Sequence, residues 1–358
     1  IGAEGIYKLD FNYIKTVMGV EPSGINVGRL GVFSNGAGMV PDRNSEARYD
    51  DIAENPSLFV DNNNNGSFDT DDYLLFYAGG PDAWKYNSTT QTFSHEKNLF
   101  SDNSYCYITT DAGTGKRVQT AASAGAATQT ITEFDDYAFN EKEEANLLKS
   151  GRIWVGDRMS SFSNTKSFSF TFPNLITSVP VTLVSAAAPS TTYGSNTIVR
   201  ANGQSLLTHL DNGIGTTNPY PPAAKPSTLS QTFTANSNTI TVDYTFNPTA
   251  DPSGTAACYI DYFELKCKRA LSMSGSSMPF RSIASVGVGN ISEFRLANAN
   301  GNTQVWDITD MANIQRMPAN FNGSELSFTA ATATMRQYIA VNVSNSFGTP
   351  TYVGKVTN

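Results

Sequence analysis

Ser167-Phe168-Ser169-Phe170-Thr171-Phe172 and Thr239-Ile240-Thr241-Val242-Asp243-Tyr244 are the stretches that decide the fold. In each, polar and apolar residues alternate with a period of two, the mark of a strand with one face in a core and the other in water. Both are rich in aromatic and β-branched side chains, which suit a pleated, half-buried surface. Similar runs surround them at residues 152–155, 179–186, 197–201, 229–233 and 256–268, separated by Pro, Gly and Asn turns. Seven such strands predict an antiparallel sandwich, jelly-roll-like, over residues 131–270. The Pro-rich residues 218–226 read as a surface loop of that sandwich.

Downstream, residues 280–286, 293–297, 303–308, 325–329 and 336–343 read as five short strands. They predict a small Ig-like β domain over 271–358. Upstream, residues 1–130 read as a β-rich domain with short helices. Strands are expected at 6–9, 29–33, 57–60 and 73–78, the last mostly apolar as if buried on both faces. Residues 104–109 and 116–121 read as a further strand pair, and 120–130, almost all Ala, Ser, Thr and Gly, as a linker. Three helices are expected. One follows the cap Asp10, with Ile14, Val17 and Met18 apolar and Gly19 as the stop. A second, short one covers 48–55. The third starts at Asn140, with Glu143 completing a capping box, then Ala145, Leu147 and Leu148, and Gly151 as the stop. The fold class is therefore mainly β, multi-domain, with few short helices.

Composition narrows the function. The 358 residues carry 24 basic and 32 acidic side chains, a formal charge of −8, with no Lys/Arg stripe. Nucleic acid and anionic membrane surfaces are thereby poor partners. No apolar run reaches the length of a membrane span; residues 179–188 are broken by Pro180, Thr182 and Ser185. The chain opens at Ile1 without a methionine or signal segment, so it reads as processed or cut and export is not legible. Cys258 and Cys267 share one long expected strand, whose rise holds them roughly 30 Å apart, too far for a disulfide. Cys106 reads as a small core hydrophobe. With only His95 and His209 besides, little material exists for a zinc site or a Cys–His catalytic pair.

The segment with the best metal spacing is Asp61-Asn-Asn-Asn-Asn-Gly-Ser-Phe-Asp-Thr-Asp-Asp72. Asp61, Asn63, Asn65, Asp69 and Asp72 fall at positions 1, 3, 5, 9 and 12 of a calcium loop, Gly66 at the bend, and Ser67 offers a carbonyl. Against Ca2+ stand the short Asp72 at the last position and strands rather than helices on both sides. The alternative is a long hairpin turn built on Asn65-Gly66. Other motifs are weaker. Gly113-Thr-Gly-Lys116 lacks the glycine spacing of a phosphate loop, and Arg117 stands where magnesium would need Ser or Thr. Gly287-Val-Gly289 lacks a βαβ context, and Trp306-Asp307 has no repeat around it. Asp71-Asp72 and Asp135-Asp136 are sequence neighbours, which point to opposite faces of a strand, so neither is a ready acid pair. No catalytic constellation emerges.

Several phrases taken together resemble a known family: Gly5-Ile-Tyr-Lys8, residues 66–77, Gly80-Pro-Asp-Ala-Trp84, residues 150–156, residues 259–265 and Val305-Trp-Asp-Ile-Thr309. In this order they resemble the region preceding the gingipain-like cysteine peptidase domain of PorU-type proteins, cell-surface sortases of the type IX secretion system in Bacteroidetes. The resemblance spans nearly the whole chain. It implies that a peptidase domain follows residues 352–358 and holds the catalytic Cys and His. None of Cys106, Cys258, Cys267, His95 or His209 matches that motif. It further implies a parent activity that removes a C-terminal sorting domain from secreted cargo and links the cargo to surface lipopolysaccharide.

The resulting expectation is a non-catalytic scaffold, exported to the cell surface or outer membrane. It would pack on its own C-terminal peptidase domain and dock an outer-membrane partner or cargo. The alternative is a carbohydrate-binding or adhesive module using exposed aromatics such as Trp84 and Trp154, although large aromatics usually end in cores. A free-standing hydrolase is the third reading.

Overall fold

The two alternating stretches pair with each other, Phe168 opposite Val242 and Phe170 opposite Ile240. Their outward hydroxyls form a ladder on the other face: Ser167 donates to Asp243 at 2.6 Å, and Ser169 and Thr241 meet at 3.1 Å. The structure, a computed structural model, describes residues 1–41, 43–46, 48–147, 149, 151, 153–215 and 223–356. These divide into two compact units, residues 1–134 with 271–358, and residues 135–270. Sequence division at 130 and 270 gives three segments; here the first and third share one unit.

Ten strands come first: β1 Gly5–Asp10, β2 Gly31–Ser34, β3 Ala53–Asn55, β4 Ser57–Val60, β5 Tyr73–Ala78, β6 Ala83–Asn87, β7 Thr92–Glu96, β8 Cys106–Thr109, β9 Gln119–Thr120 and β10 Gln129–Ile131. Nine follow: β11 Glu133–Glu141, β12 Gly156–Ser160, β13 Thr165–Thr171, β14 Val181–Ser190, β15 Ser195–Ala201, β16 Gln204–Asp211, β17 Ser227–Phe233, β18 Thr239–Pro248 and β19 Ala257–Ala270. The last seven are β20 Ser277–Phe280, β21 Ile291–Ala297, β22 Thr303–Asp307, β23 Gln315–Arg316, β24 Ala319–Phe321, β25 Glu325–Ala331 and β26 Tyr338–Asn342.

In the unit of residues 135–270, pairing runs inward from the two ends. One sheet has the order β11-β19-β14-β17, with β12 also on β19, and the other β13-β18-β15-β16. Apart from β12, first pairs with last, second with next-to-last, and so on to the hairpin β15-β16. This is a strand ribbon rolled over on itself, a jelly roll. The period-two pattern of β18 places Ile240, Val242, Tyr244 and Phe246 wholly inside. There Phe263 of β19 packs on Phe168 at 5.1 Å and on Tyr244 at 5.9 Å. Each fully buried side chain of this size contributes about 1.5–3 kcal/mol, so the two inward faces hold the sandwich together.

The other unit is organised by β5. Leu74 and Phe76 face one core with Leu9, Ile14 and Val32, while Leu75 and Tyr77 face another with Trp306, Ile308 and Ile339. A strand buried on both faces thus ties residues from the start of the chain to residues near its end. Two parallel pairings do the same, β10 on β21 and β9 on β23. Strands of 271–358 form two sheets with β9 and β10 as added edges. Between them Phe280, Phe294, Phe328 and Tyr338 cluster, Phe294 stacking on Phe328 at 5.1 Å.

Three expectations are corrected. The helix at Asn140 does not form: Asn140 lies in β11, and its amide donates to Asp157 Oδ2 at 3.0 Å. Ala145 bridges to Val155 instead of starting a second helical turn. Leu148 lies outside the described residues. Sheet pairing of β11 with β19 outweighs a cap that is a local signal of about 1 kcal/mol. Residues 53–55 of the second expected helix are β3, paired on β2. The expected strand pair 104–109 and 116–121 separates: β8 joins β2, and β9 joins β23. The first helix survives as a π-helical turn, Tyr13–Val17, with Asp10 Oδ1 accepting from the Tyr13 N–H at 2.9 Å. Residues 218–222 of the Pro-rich loop lie outside the described residues.

Candidate functional site

The 61–72 loop joins β4 to β5, which pair antiparallel with Val60 opposite Tyr73. Asn64 (φ 57°) and Gly66 (φ 77°) take left-handed backbone conformations, which Asn and Gly adopt at least cost. Asp61 is the organising acceptor, its Oδ2 taking the Gly66 N–H at 2.8 Å and its Oδ1 the Asn65 N–H at 3.3 Å. Asp69 gathers the amides of Asn63 at 2.8 Å and Asn65 at 2.6 Å on one oxygen. These bonds, that from Asn63 first, hold its carboxyl below the usual carboxylate range.

Asp72 behaves differently. It is 1% exposed, and its two oxygens accept the backbone N–H groups of Asn62 at 2.8 Å and Asp69 at 2.9 Å. It fastens the base of the loop. Ser67 donates its N–H to Asn65 Oδ1 at 2.7 Å. Asp61, Asn63, Asn65 and Asp69 therefore interlock through a few bonds, while Asp72 is committed to the backbone. The donor set is all oxygen, the chemistry that Ca2+ and not a softer metal takes. A cation would take the Asn63 and Asn65 amide oxygens, which accept the Asn65 and Ser67 N–H groups at 3.1 and 2.7 Å. Among the described residues no group of three or more His, Cys, Asp or Glu side chains is gathered as a metal set.

The remaining reactive side chains are built into the framework. His209 is buried in the sandwich, Nε2 3.0 Å from Ser185 Oγ and Nδ1 2.8 Å from Ser227 Oγ; Tyr244 OH lies 2.8 Å from the same Ser185. A Ser–His pair suggests a nucleophile and its base, but Ser185, His209 and Tyr244 are all sealed from solvent. Sequence reading passed over this network because its four members come from four strands. Burial pushes the thiols up, Cys106 to about 11 and Cys258 to about 12, and Cys267 is raised as well. Asp135 pairs with Lys268 at 2.9 Å and Asp136 with Arg269 at 2.6 Å, so both carboxylates join β11 to β19.

The Gly113–Lys116 segment serves a structural end. Arg117 Nη1 donates to the Leu30 carbonyl at 3.0 Å and the Lys116 carbonyl at 2.9 Å, and Nη2 donates to Val27. A Cβ at Gly115 would lie 2.5 Å from the Leu30 oxygen, so glycine is required by the close approach. The tryptophans divide. Trp306 is wholly buried, Trp84 is half-buried with its ring 5.7 Å from that of His95, and Trp154 is 38% exposed.

Fold and loop together define an all-β protein, a jelly roll placed within the sequence of a second β unit that carries an Asp/Asn-rich hairpin loop. Across its whole length the chain is similar to the crystal structure of dimeric latent PorU from Porphyromonas gingivalis. That likeness has 22% identity and a TM-score of 0.81, and covers 100% of this chain and 32% of that one. It shows a PorU-like fold, and the chain spans about a third of that protein's length.

Two carbohydrate-binding modules also align in part. One is a CBM36 module in complex with calcium and xylotriose, at 16% identity, TM-score 0.23, 38% of this chain and 99% of that one. The other is a CBM36-1 domain of a xylanase from the hindgut metagenome of Trinervitermes trinervoides, at 13% identity, TM-score 0.23, 37% of this chain and 94% of that one. At that TM-score neither carries an argument. No protein-family model and no curated protein matches the sequence.

Proposed function

We propose that the chain is the non-catalytic frame of a PorU-like sortase of the type IX secretion system, exported and held at the cell surface. It packs on a gingipain-like peptidase domain and offers surfaces to an outer-membrane partner or secreted cargo. The observation that carries the reading is the full-length likeness to PorU, 100% of this chain at a TM-score of 0.81. The placement of His209, Cys258 and Cys267 inside the jelly roll supports a framework role. In this reading Asp61, Asn63, Asn65, Ser67 and Asp69 hold Ca2+, with Asp72 fastening the base of the loop, and the ion stiffens the β4–β5 connection and does no chemistry.

The test is size-exclusion chromatography of the purified chain mixed with a separately expressed PorU-type peptidase domain. Co-elution is expected, and the chain alone leaves a cargo protein bearing a sorting domain uncut. Separate elution, or cleavage by the chain alone, contradicts the reading.

A further inference from the structure

At one end of the jelly roll, three connections surround a cavity of about 140 Å3. Its wall is made by residues 190–193 after β14, Ile214 after β16, and residues 250–256 between β18 and β19. The wall is held in place from below. Asp211, buried at the end of β16, accepts from Thr191 Oγ1 at 2.6 Å and from the Gly213 N–H at 2.9 Å. The Ile214 N–H then donates to the Thr191 carbonyl at 2.7 Å, and the Thr249 N–H to Gly194 at 2.9 Å. Gly213 has φ 80°, and a Cβ there would sit 2.4 Å from the Thr192 oxygen, so two connections touch backbone to backbone. On the far side Asp251 accepts from Ser161 Oγ at 2.5 Å and from the N–H groups of Thr255 at 2.9 Å and Ala256 at 3.0 Å.

The lining chemistry selects among ligands. Hydroxyls come from Ser190, Thr192, Tyr193, Ser253 and Thr255, with that of Thr191 spent on Asp211, and among the described residues the lining has one carboxylate and no Lys, Arg or His. An anion would meet Asp251, whose hydrogen bonds, led by that from Ser161, keep it ionised, with no cation to offset it. A metal ion would find one carboxylate already committed to three donors. A wholly apolar group would strand the hydroxyls, each worth about 1–3 kcal/mol when left unmet.

What remains is a neutral polyol. Tyr193, 49% exposed, is part of the wall, and Phe162, 88% exposed and outside it, lies within reach of a side chain at Gly254. An aromatic side chain beside a row of hydroxyls matches a sugar ring, whose axial C–H bonds make an apolar face and whose hydroxyls stand around its rim. The volume equals that of about five waters at ~30 Å3 each, the bulk of one ring.

We infer that this end of the jelly roll binds a neutral saccharide through a single ring stacked on Tyr193 and hydrogen-bonded to the surrounding hydroxyls. Neither Trp84 nor Trp154 lines the site. The inference is independent of the frame reading, because it concerns this chain without a peptidase domain. One small ring implies an affinity on the order of millimolar.

Saturation-transfer NMR on the whole chain tests it, with the methyl glycosides of glucose, galactose, mannose and N-acetylglucosamine as probes and glucuronate as the anionic control. At least one neutral glycoside is expected to bind saturably. Tyr193→Ala should weaken it tenfold or more and Ser253→Ala measurably, while Tyr193→Phe keeps it. Unchanged melting temperatures of the variants show that the loops still fold. No binding by any neutral glycoside, binding that Tyr193→Ala leaves unaltered, or preference for glucuronate overturns the inference.

Discussion

Ser185 Oγ lies 3.0 Å from His209 Nε2 inside the jelly roll, and this bond joins one sheet to the other. Ser227 and Tyr244 extend it to a chain of four side chains. Burial pushes the His209 imidazole down to about 4 from its ordinary 6.5, so the folded protein keeps it neutral where an unfolded chain would protonate it. Between those two pH values the unfolded state binds more protons. Stability from this group is therefore full above pH 6.5 and lost as pH falls toward 4, by about 3 kcal/mol in all. Urea unfolding at neutral pH and near pH 4 should show a smaller acid loss in His209→Gln than in the native sequence. Equal losses would contradict the assignment.

The calcium reading of the 61–72 loop makes a separate prediction. Adding Ca2+ to chelator-treated protein should raise the melting temperature by several degrees, since a ligand at a hundredfold over its Kd stabilises by about 2.7 kcal/mol. Asp61→Ala should abolish the increment, because Asp61 holds Asn65 and Gly66 in register at the bend. Identical melting with Ca2+ and with chelator retires the metal and leaves the hairpin turn.

All three thiols should be inert in the folded chain. With Cys106 raised to about 11, Cys258 to about 12 and Cys267 raised by burial, almost no thiolate exists at mildly alkaline pH. Ellman's reagent should count none in the native protein and all three after denaturation. Rapid native labelling of Cys258 or Cys267 would contradict the packing of β19.

Arg117 should tolerate no replacement. Its planar fork reaches the carbonyls of Val27, Leu30 and Lys116 together, a geometry that a lysine ammonium does not reproduce. Arg117→Lys is expected to cost about 1–3 kcal/mol in chemical denaturation, with the carbonyl of buried Leu30 left short of a donor. A loss below about 0.5 kcal/mol, ordinary for a surface change, would contradict it.

The strands of the jelly roll were legible because alternation survives any tertiary context: residues 167–172 and 239–244 could bury only one face each. β5 was legible as doubly buried for the converse reason, an apolar run without alternation. Asn140 misled, because a capping box is a short-range signal and the pairing of β11 with β19 is decided by a strand that starts only at Ala257. The parallel partners of β9 and β10 were invisible for the same reason. Of the candidate metal residues, sequence placed all six on one hairpin loop but could not tell that Asp72 points into the loop's own backbone. The cavity beside Tyr193 is assembled from connections after three different strands, which no local pattern announces.

The most direct measurement of the central claim is isothermal titration calorimetry of the intact chain into a purified PorU-type peptidase domain. A frame that packs on that domain predicts saturable one-to-one binding with a negative heat-capacity change, the mark of buried apolar surface. No heat of association across the titration, in protein whose melting transition is intact, would contradict it.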